Sequence, residues 1–193
     1  VSEDVYCLLN SDIEVTKDWL QPIIKEFKTN PETAIIQPKI LDYNNKTYFE
    51  YAGAAGGFID KYGYPYCRGR IFNTIESDTN QYENAEIFWA SGACFFIRQS
   101  VFKNLKGFDH TFFAHMEEID LCWRAQNYGH SIQYIGESTV YHVGGATLET
   151  TNPKKTYLNF RNSLFTLTTN DNGNLLFLVL TRLILDGIAG CYK

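Results

Sequence analysis

The sequence predicts an α/β fold, and three observations carry that expectation. Short apolar runs closed by turn formers alternate with segments whose apolar residues recur at helical spacing. One such run, "VYCLLNSD", ends at Asn10-Ser11-Asp12, setting a carboxylate just past a strand end, where open α/β sheets hold their ligands. The five cysteines (Cys7, Cys67, Cys94, Cys122, Cys191) are odd in number, widely spaced and without a C-x-x-C pair, which argues against a disulfide framework or a zinc site.

The elements follow in order. Residues 4–9 read as a buried strand. From Asp18 to Phe27, the apolar residues Trp19, Leu20, Ile23, Ile24 and Phe27 fall at helical spacing. Thr16 or Asp18 is the expected N-cap, and Pro22 sits in the first turn, where proline is tolerated. "AIIQPKIL", 34–41, reads as a strand whose Pro38 marks an edge or an end. Residues 42–85 have no clear period, and they hold many glycines and tyrosines with Arg68 and Arg70. The stretch is too aromatic for disorder and reads as a long ordered loop with short strands, a kind of loop that is often functional. "EIFWASGACFFIR", 86–98, reads as strand, Ser-Gly turn, strand, and "SVFKNL" as a short helix. Helices are expected at 116–129, stopped by Gly129, and at 156–170, with two short strands at 131–145 between them.

The most apolar segment runs from Leu175 to Ile188, interrupted by Arg182 and Asp186. It is shorter than the ~20 residues a bilayer span needs. A core or interface helix is the first reading, and a membrane-surface helix the second. The chain thus divides into 1–170, a catalytic-type domain, and 171–193, an apolar helix. A length of 193 residues suits one domain with a proper core. A net charge of −5 with no Lys/Arg block argues against nucleic-acid binding, and the cysteine usage suits a reducing, cytoplasmic setting.

Three places could carry chemistry. Asn10 and Asp12 lie two apart, on one side of an extended backbone, and offer oxygen ligands that suit Mg²⁺ or Mn²⁺, although on spacing alone an Asx turn or the cap of the next helix is the first explanation. In "HMEEIDLCWR", Glu117, Glu118 and Asp120 open a helix, where the macrodipole favours negative charge. Apolar neighbours there would raise a carboxylate toward the range of a general base. Glu117, Asp120 and Arg124 share one stripe and suit a structural ion pair, while Glu118 is off it. Third, His142 precedes a Gly-Gly turn in "YHVGGATL", where a backbone can approach a bulky polar ligand and an imidazole would complete a metal site begun by Asp12.

Taken in order, "LLNSDIEV", "WASGACFFIRQSVFKNLKGFD", "FFAHMEEIDLCWRAQNYGHSIQYI", "VYHVGGATL" and "YLNFRNSLFTL" resemble the family 2 glycosyltransferases, most closely their bacterial rhamnosyltransferase-like members that build cell-surface polysaccharides. The resemblance runs from about residue 5 to about residue 168. It implies the mixed-sheet nucleotide-diphospho-sugar transferase (GT-A) fold, a nucleotide-sugar donor, a saccharide or lipid-linked acceptor, and inversion at the anomeric carbon. Asn10-Ser11-Asp12 stands at the family's Asp-x-Asp metal motif, with Asp12 the expected ligand and Asn10 a departure. Glu117-Glu118 stands at the Glu-Asp catalytic pair, which makes Glu118 the expected general base, with Asp120 or Glu117 able to share the role. His142 matches a histidine contacting metal or diphosphate. Ser91 and Gly92 are expected to line the cleft, and Arg68 and Arg70 to meet diphosphate or an anionic acceptor.

The family's N-terminal nucleotide-binding half has no counterpart before Val5, and the chain opens without Met. The expectation is therefore a fragment, with weak or no turnover by itself. Exposed edges of a partial sheet would favour self-association, and the last helix peripheral contact with the inner face of a membrane. A non-catalytic carbohydrate-binding or scaffolding module on the same fold is the competing expectation, with a metal-dependent hydrolase behind it.

Overall fold

A six-stranded mixed sheet organises the computed structural model, which describes residues 4–52, 54–144 and 153–191. Its strands are β1 (Val5–Leu9), β2 (Ile13–Val15), β3 (Thr33–Asp42), β8 (Ala85–Glu86), β9 (Cys94–Arg98) and β10 (Ser131–His142). The order is β1-β9-β3-β10-β2, with β8 also on β10. Only β3 and β10 run parallel; the other pairings are antiparallel. Two small ribbons, β4 (Gly57–Ile59) with β5 (Pro65–Cys67) and β6 (Arg70–Ile71) with β7 (Thr74–Ile75), fill the long aperiodic stretch. The helices are α1 (Leu20–Thr29), α2 (Gln99–Asn104), α3 (Glu117–Asn127), α4 (Pro153–Asn170) and α5 (Leu175–Cys191).

Strand alternation divides the core in two. Ile36, Phe96, Ile135 and Val140 face α1 and its Ile23, Trp19 and Phe27. Ile35, Phe95, Ile97 and Ile132 face the other way, onto Ile119, Leu121, Cys122 and Ala125 of α3. Helices therefore cover both faces, and α4 packs outside α3.

Several expectations need correction. Neither Thr16 nor Asp18 caps α1: Trp19 takes that position without a side-chain bond, and the Thr16 hydroxyl donates to the Thr139 carbonyl at 2.7 Å. Pro38 lies inside β3, between β9 and β10. Its missing N–H goes unneeded because the β3–β10 register breaks there, jumping from Ile135↔Pro38 to Thr139↔Lys39. Residues 131–142 form one strand where two were expected, irregular in register between Ile135 and Thr139. β1 is half exposed, with Leu9 45% accessible, since it stands at the edge of the described sheet.

α5 inverts the usual amphipathic rule. Arg182 is its buried residue, at 0% exposure, while Leu176, Phe177, Leu180, Leu183, Ile184 and Ile188 are all more than half exposed. It is not a core helix, because its polar side faces the protein. No helix among the described residues is long and apolar enough to cross a membrane.

Candidate active site

Strand ends bring the first group of side chains together. The Asn10 N–H donates to the Ala93 carbonyl at 3.0 Å, and the Val143 N–H to the Asp12 carbonyl at 3.1 Å, which ties the turn after β1 to the end of β10. His142, the last residue of β10, then meets Asp12, with Nε2 at 3.3 Å from Oδ1. The Asn10 amide nitrogen lies 3.5 Å from the same Nε2. On the far side of the ring, Nδ1 is 3.5 Å from Oε1 of Glu50, a residue only 7% exposed. Burial opposes charge on His142, but the Glu50 and Asp12 carboxylates outweigh it, and the imidazole pKa is raised. Gly144, at φ +67°, permits this packing; a Cβ there would stand 3.2 Å from the Glu50 carboxylate.

The second group stands at the start of α3. The preceding loop carries Phe113, His115 and Met116 at positive φ (64°, 68° and 73°), a conformation that costs side-chain-bearing residues energy and persists only where neighbours enforce it. α4 supplies the enforcement. The buried Asn162 amide donates to the carbonyls of Phe112, Ala114 and His115 at 3.0, 2.8 and 2.8 Å, and Arg161 to those of Thr111 and Phe112. Glu118 emerges against Gly92, where a Cβ would lie 3.7 Å from its carboxyl carbon, and it accepts from the Gly92 N–H. Its Oε2 is inaccessible and has no partner among the described residues. Burial, then the neighbouring Glu117 charge, push its pKa up to about 7, against the pull of backbone N–H donors.

Hydrogen bonds lead from Glu50 toward the second group. Glu50 Oε2 accepts from the Ala52 N–H at 2.6 Å, and the Ala52 carbonyl accepts from the Ser91 hydroxyl at 2.7 Å. Ser91 is bonded in turn through its N–H to Gln37, and its neighbour Gly92 meets Glu118. Contacts thus run from Asp12 and His142 to Glu50 as charge pairs at 3.3 and 3.5 Å, and from Glu50 through Ala52 to Ser91 as hydrogen bonds, ending at Gly92 beside Glu118.

Other expected residues lie apart. Asp120 is 2% exposed with both oxygens engaged, by Arg124 Nε at 2.8 Å and the Asn170 amide at 2.8 Å, so it acts as a brace between α3 and α4. Glu117 forms no part of that pair and keeps an inaccessible Oε2 without a partner among the described residues. Arg68 stacks on Phe58 and Tyr82, and Arg70 on Tyr51 at 3.9 Å. The Gly-Gly turn after His142 includes Gly145, which lies outside the described residues. Two residues escaped the sequence reading. Glu50 sits in an aperiodic stretch that gives no signal. Asn162 did leave one: Leu158, Asn162, Thr166 and Asn170 form a buried stripe at spacing four, and an amide on an inward stripe needs partners.

Among the described residues no three His, Cys, Asp or Glu side chains form a metal-binding cluster. The donor chemistry nonetheless fits Mg²⁺ or Mn²⁺ with two protein ligands, one carboxylate and one imidazole, the remaining positions being those that phosphate oxygens and water commonly fill. Glu50, 3.5 Å from Nδ1, stands where a carboxylate partner of a metal-ligating histidine is commonly found.

Residues 7–151 match the model of "Glycosyl transferase family group 2". The N-acetylglucosaminyl-diphospho-decaprenol L-rhamnosyltransferase of Mycobacterium tuberculosis, from strains CDC 1551 / Oshkosh and ATCC 25618 / H37Rv, is 37% identical over 54 residues, which are 28% of this chain. The match spans only 18% of that relative's length. A crystal structure of GalNAc-T7 with UDP, GalNAc and Mn²⁺ superposes with a TM-score of 0.57 over 86% of this chain and 31% of its own, at 13% identity. That likeness is one of fold, the α/β nucleotide-sugar transferase architecture. The family match covers most of the chain, and on that ground this chain belongs to glycosyl transferase family group 2.

Proposed function

We propose that this chain catalyses inverting transfer of a sugar from a nucleotide-diphospho-sugar to a hydroxyl of a saccharide or lipid-linked acceptor, in the assembly of cell-surface polysaccharide. The observation that carries this is the placing of a hard-cation donor pair, Asp12 and His142, in one structure with a base whose pKa is about 7, Glu118, through the intervening Glu50, Ala52 and Ser91. Asp12 and His142 would hold Mg²⁺ or Mn²⁺, which when bound supplies charge neutralisation to the diphosphate leaving group.

Glu118 takes the acceptor proton as the hydroxyl attacks the anomeric carbon opposite the leaving group. Its free Oε2 and raised pKa suit that task, whereas Asp120 is consumed by Arg124 and Asn170. Ser91 holds the Glu50 loop in place, and Gly92 leaves room beside Glu118. Rhamnose is the first donor sugar to try, on the likeness to the mycobacterial rhamnosyltransferase. The outward apolar face of α5 suits peripheral contact at the inner face of a membrane.

The test is Mn²⁺-dependent binding of nucleoside diphosphates by calorimetry. Binding that needs the cation and is lost in Asp12→Ala is the expected result. Metal-independent binding, unchanged in Asp12→Ala, overturns the reading in favour of a carbohydrate-binding module.

A further inference from the structure

α3 meets the segment between β8 and β9 along one stripe of its surface. Glu118, Cys122 and Gln126 stand four apart on the helix and so share a face. Each stands against a residue of 88–92, and those residues alternate. Glu118 lies against Gly92, where a Cβ would stand 3.7 Å from its carboxyl carbon. The Ala90 N–H donates to the Cys122 sulfur at 3.4 Å, and the Gln126 amide donates to the Phe88 carbonyl at 2.7 Å.

The two spacings agree in length. Four helical residues advance about 6 Å, and two residues of extended chain reach roughly 6–7 Å. A helix stripe of spacing four therefore stays in step with every second residue of a neighbouring chain over three contacts. A slip of one residue on either side would break all three. The residues between take other partners: Trp89 exchanges backbone bonds with Gly57 at 3.0 and 3.1 Å, and Ser91 bonds Gln37 and the Ala52 carbonyl.

Neither Cys122 nor Gln126 is a catalytic residue. Cys122 is inaccessible, and burial pushes its thiol up to about 12, so it is a neutral acceptor and no nucleophile. Gln126 lies two helical turns beyond Glu118, about 12 Å along the axis. What the two residues touch is the backbone that leads to Gly92.

Resting on the transferase reading above, we infer that Cys122 and Gln126 are positioning residues, which hold the 88–92 segment in step with α3 and so keep Gly92 against the Glu118 carboxylate.

The Gly92 N–H lowers the Glu118 pKa, against burial and the Glu117 charge. Segment 88–92 brings no titratable side chain to Glu118, and on α3 its titratable neighbours are Glu117 and the neutral Cys122. Loss of step should therefore raise the Glu118 midpoint and misplace the base together.

The test reads the Glu118 carboxyl by ¹³C NMR in protein labelled at glutamate, the signal being assigned by its absence in Glu118→Gln, alongside kcat and KM for transfer. Gln126→Leu keeps the side-chain volume and removes the donor, and the Phe88–Trp123 ring contact at 5.3 Å remains to hold the fold. It should raise the midpoint by about half a pH unit or more. It should also lower kcat by about tenfold with KM unchanged. Cys122→Ala should act in the same direction, whereas Cys122→Ser, which restores an acceptor for the Ala90 N–H, should stay within about threefold of the parent.

An unmoved midpoint and unchanged kcat per folded molecule in Gln126→Leu overturn the inference, and that variant decides alone if Cys122→Ala does not fold. Equal losses in Cys122→Ser and Cys122→Ala overturn the part given to Cys122. Mn²⁺-dependent nucleoside diphosphate binding separates the two readings. Where it is present and the midpoint stays put, this inference fails and the transferase reading stands. Where it is absent and the midpoint moves, the positioning stands and the transferase reading fails.

Discussion

The two halves of the candidate site are built by different means. Asp12 and His142 hang from strand ends whose positions are set by sheet pairing, with His142 in register with both Ile13 and Asp42. Glu118 stands at the start of α3, after a loop with three side-chain-bearing residues at positive φ that the Asn162 amide and the Arg161 guanidinium of α4 hold. A sheet end is rigid because many backbone bonds agree on it; a strained loop is only as rigid as its clamp. The Asp12–His142 half should therefore be sensitive chiefly at those side chains and their immediate partner Glu50, and the Glu118 half also at an α4 residue remote from substrate.

The largest effect falls on the sheet half. Asp12→Ala in the intact protein should remove Mn²⁺-dependent donor binding and lower kcat/KM by ~10³-fold or more, since leaving-group charge neutralisation contributes several kcal/mol. Fold and thermal stability should change little, because Asp12 is partly exposed and its backbone bond to Val143 survives. An Asp12→Ala protein with near-normal transfer would remove the cation from this half.

Glu118→Gln should cost about 10²–10⁴-fold in kcat while sparing donor binding. The unsubstituted enzyme should gain activity as pH rises through about 7, where Glu118 loses its proton, and Glu118→Gln should lack that limb. Stability carries the opposite sign. The folded pKa of about 7 exceeds the 4.5 of the unfolded chain, so the native state binds the extra proton and loses stability as pH rises from 4.5 through 7. Glu118→Gln should then match the parent near pH 4 and exceed it above pH 7, by up to about 3 kcal/mol. Equal unfolding curves at pH 8 would mean that Glu118 is not the buried base described here.

Asn162→Ala removes three hydrogen bonds to the strained loop. The expected loss is about 1–3 kcal/mol of stability. Misplacement of Glu118 should add a fall of ~10²-fold in kcat. A merely structural residue would leave kcat per folded molecule, and its pH limb near 7, untouched. Here kcat should fall further than KM rises, with Mn²⁺ affinity unchanged.

The same contrast explains what the sequence made legible. Asp12 and His142 could be read because a strand end is a sequence event: an apolar run stops, and a polar group follows. Glu118 could be read as the carboxylate off the ion-pair stripe, and Arg124–Asp120 is the pair that stripe implied. Glu50 could not, since it reaches His142 through a hairpin return fixed by Glu50 N–H to Ile40 carbonyl at 3.1 Å, a tertiary contact with no local pattern. Pro38 misled for the same reason: whether a missing N–H matters depends on the opposite strand, here irregular between Ile135 and Thr139. The inverted burial of α5 also lies beyond composition, because Arg182 faces inward only where Tyr62, Tyr64 and Ser163 await it.

Glu50 provides the finest test of the sheet half. Its carboxylate stands 3.5 Å from Nδ1 and helps raise the pKa of the ring, whose Nε2 faces Asp12. Glu50→Gln should weaken Mn²⁺ by about 10–100-fold at pH 8, the usual cost of losing such a partner. Proton competition works the other way. The parent imidazole, with its raised pKa, is charged over a wider pH range and cedes more affinity on acidification than the variant does. The affinity gap between parent and Glu50→Gln should therefore narrow as pH falls from 8 toward 6. A gap that stays constant would mean that Glu50 only packs against the ring. A gap that widens would place the decisive proton on another group.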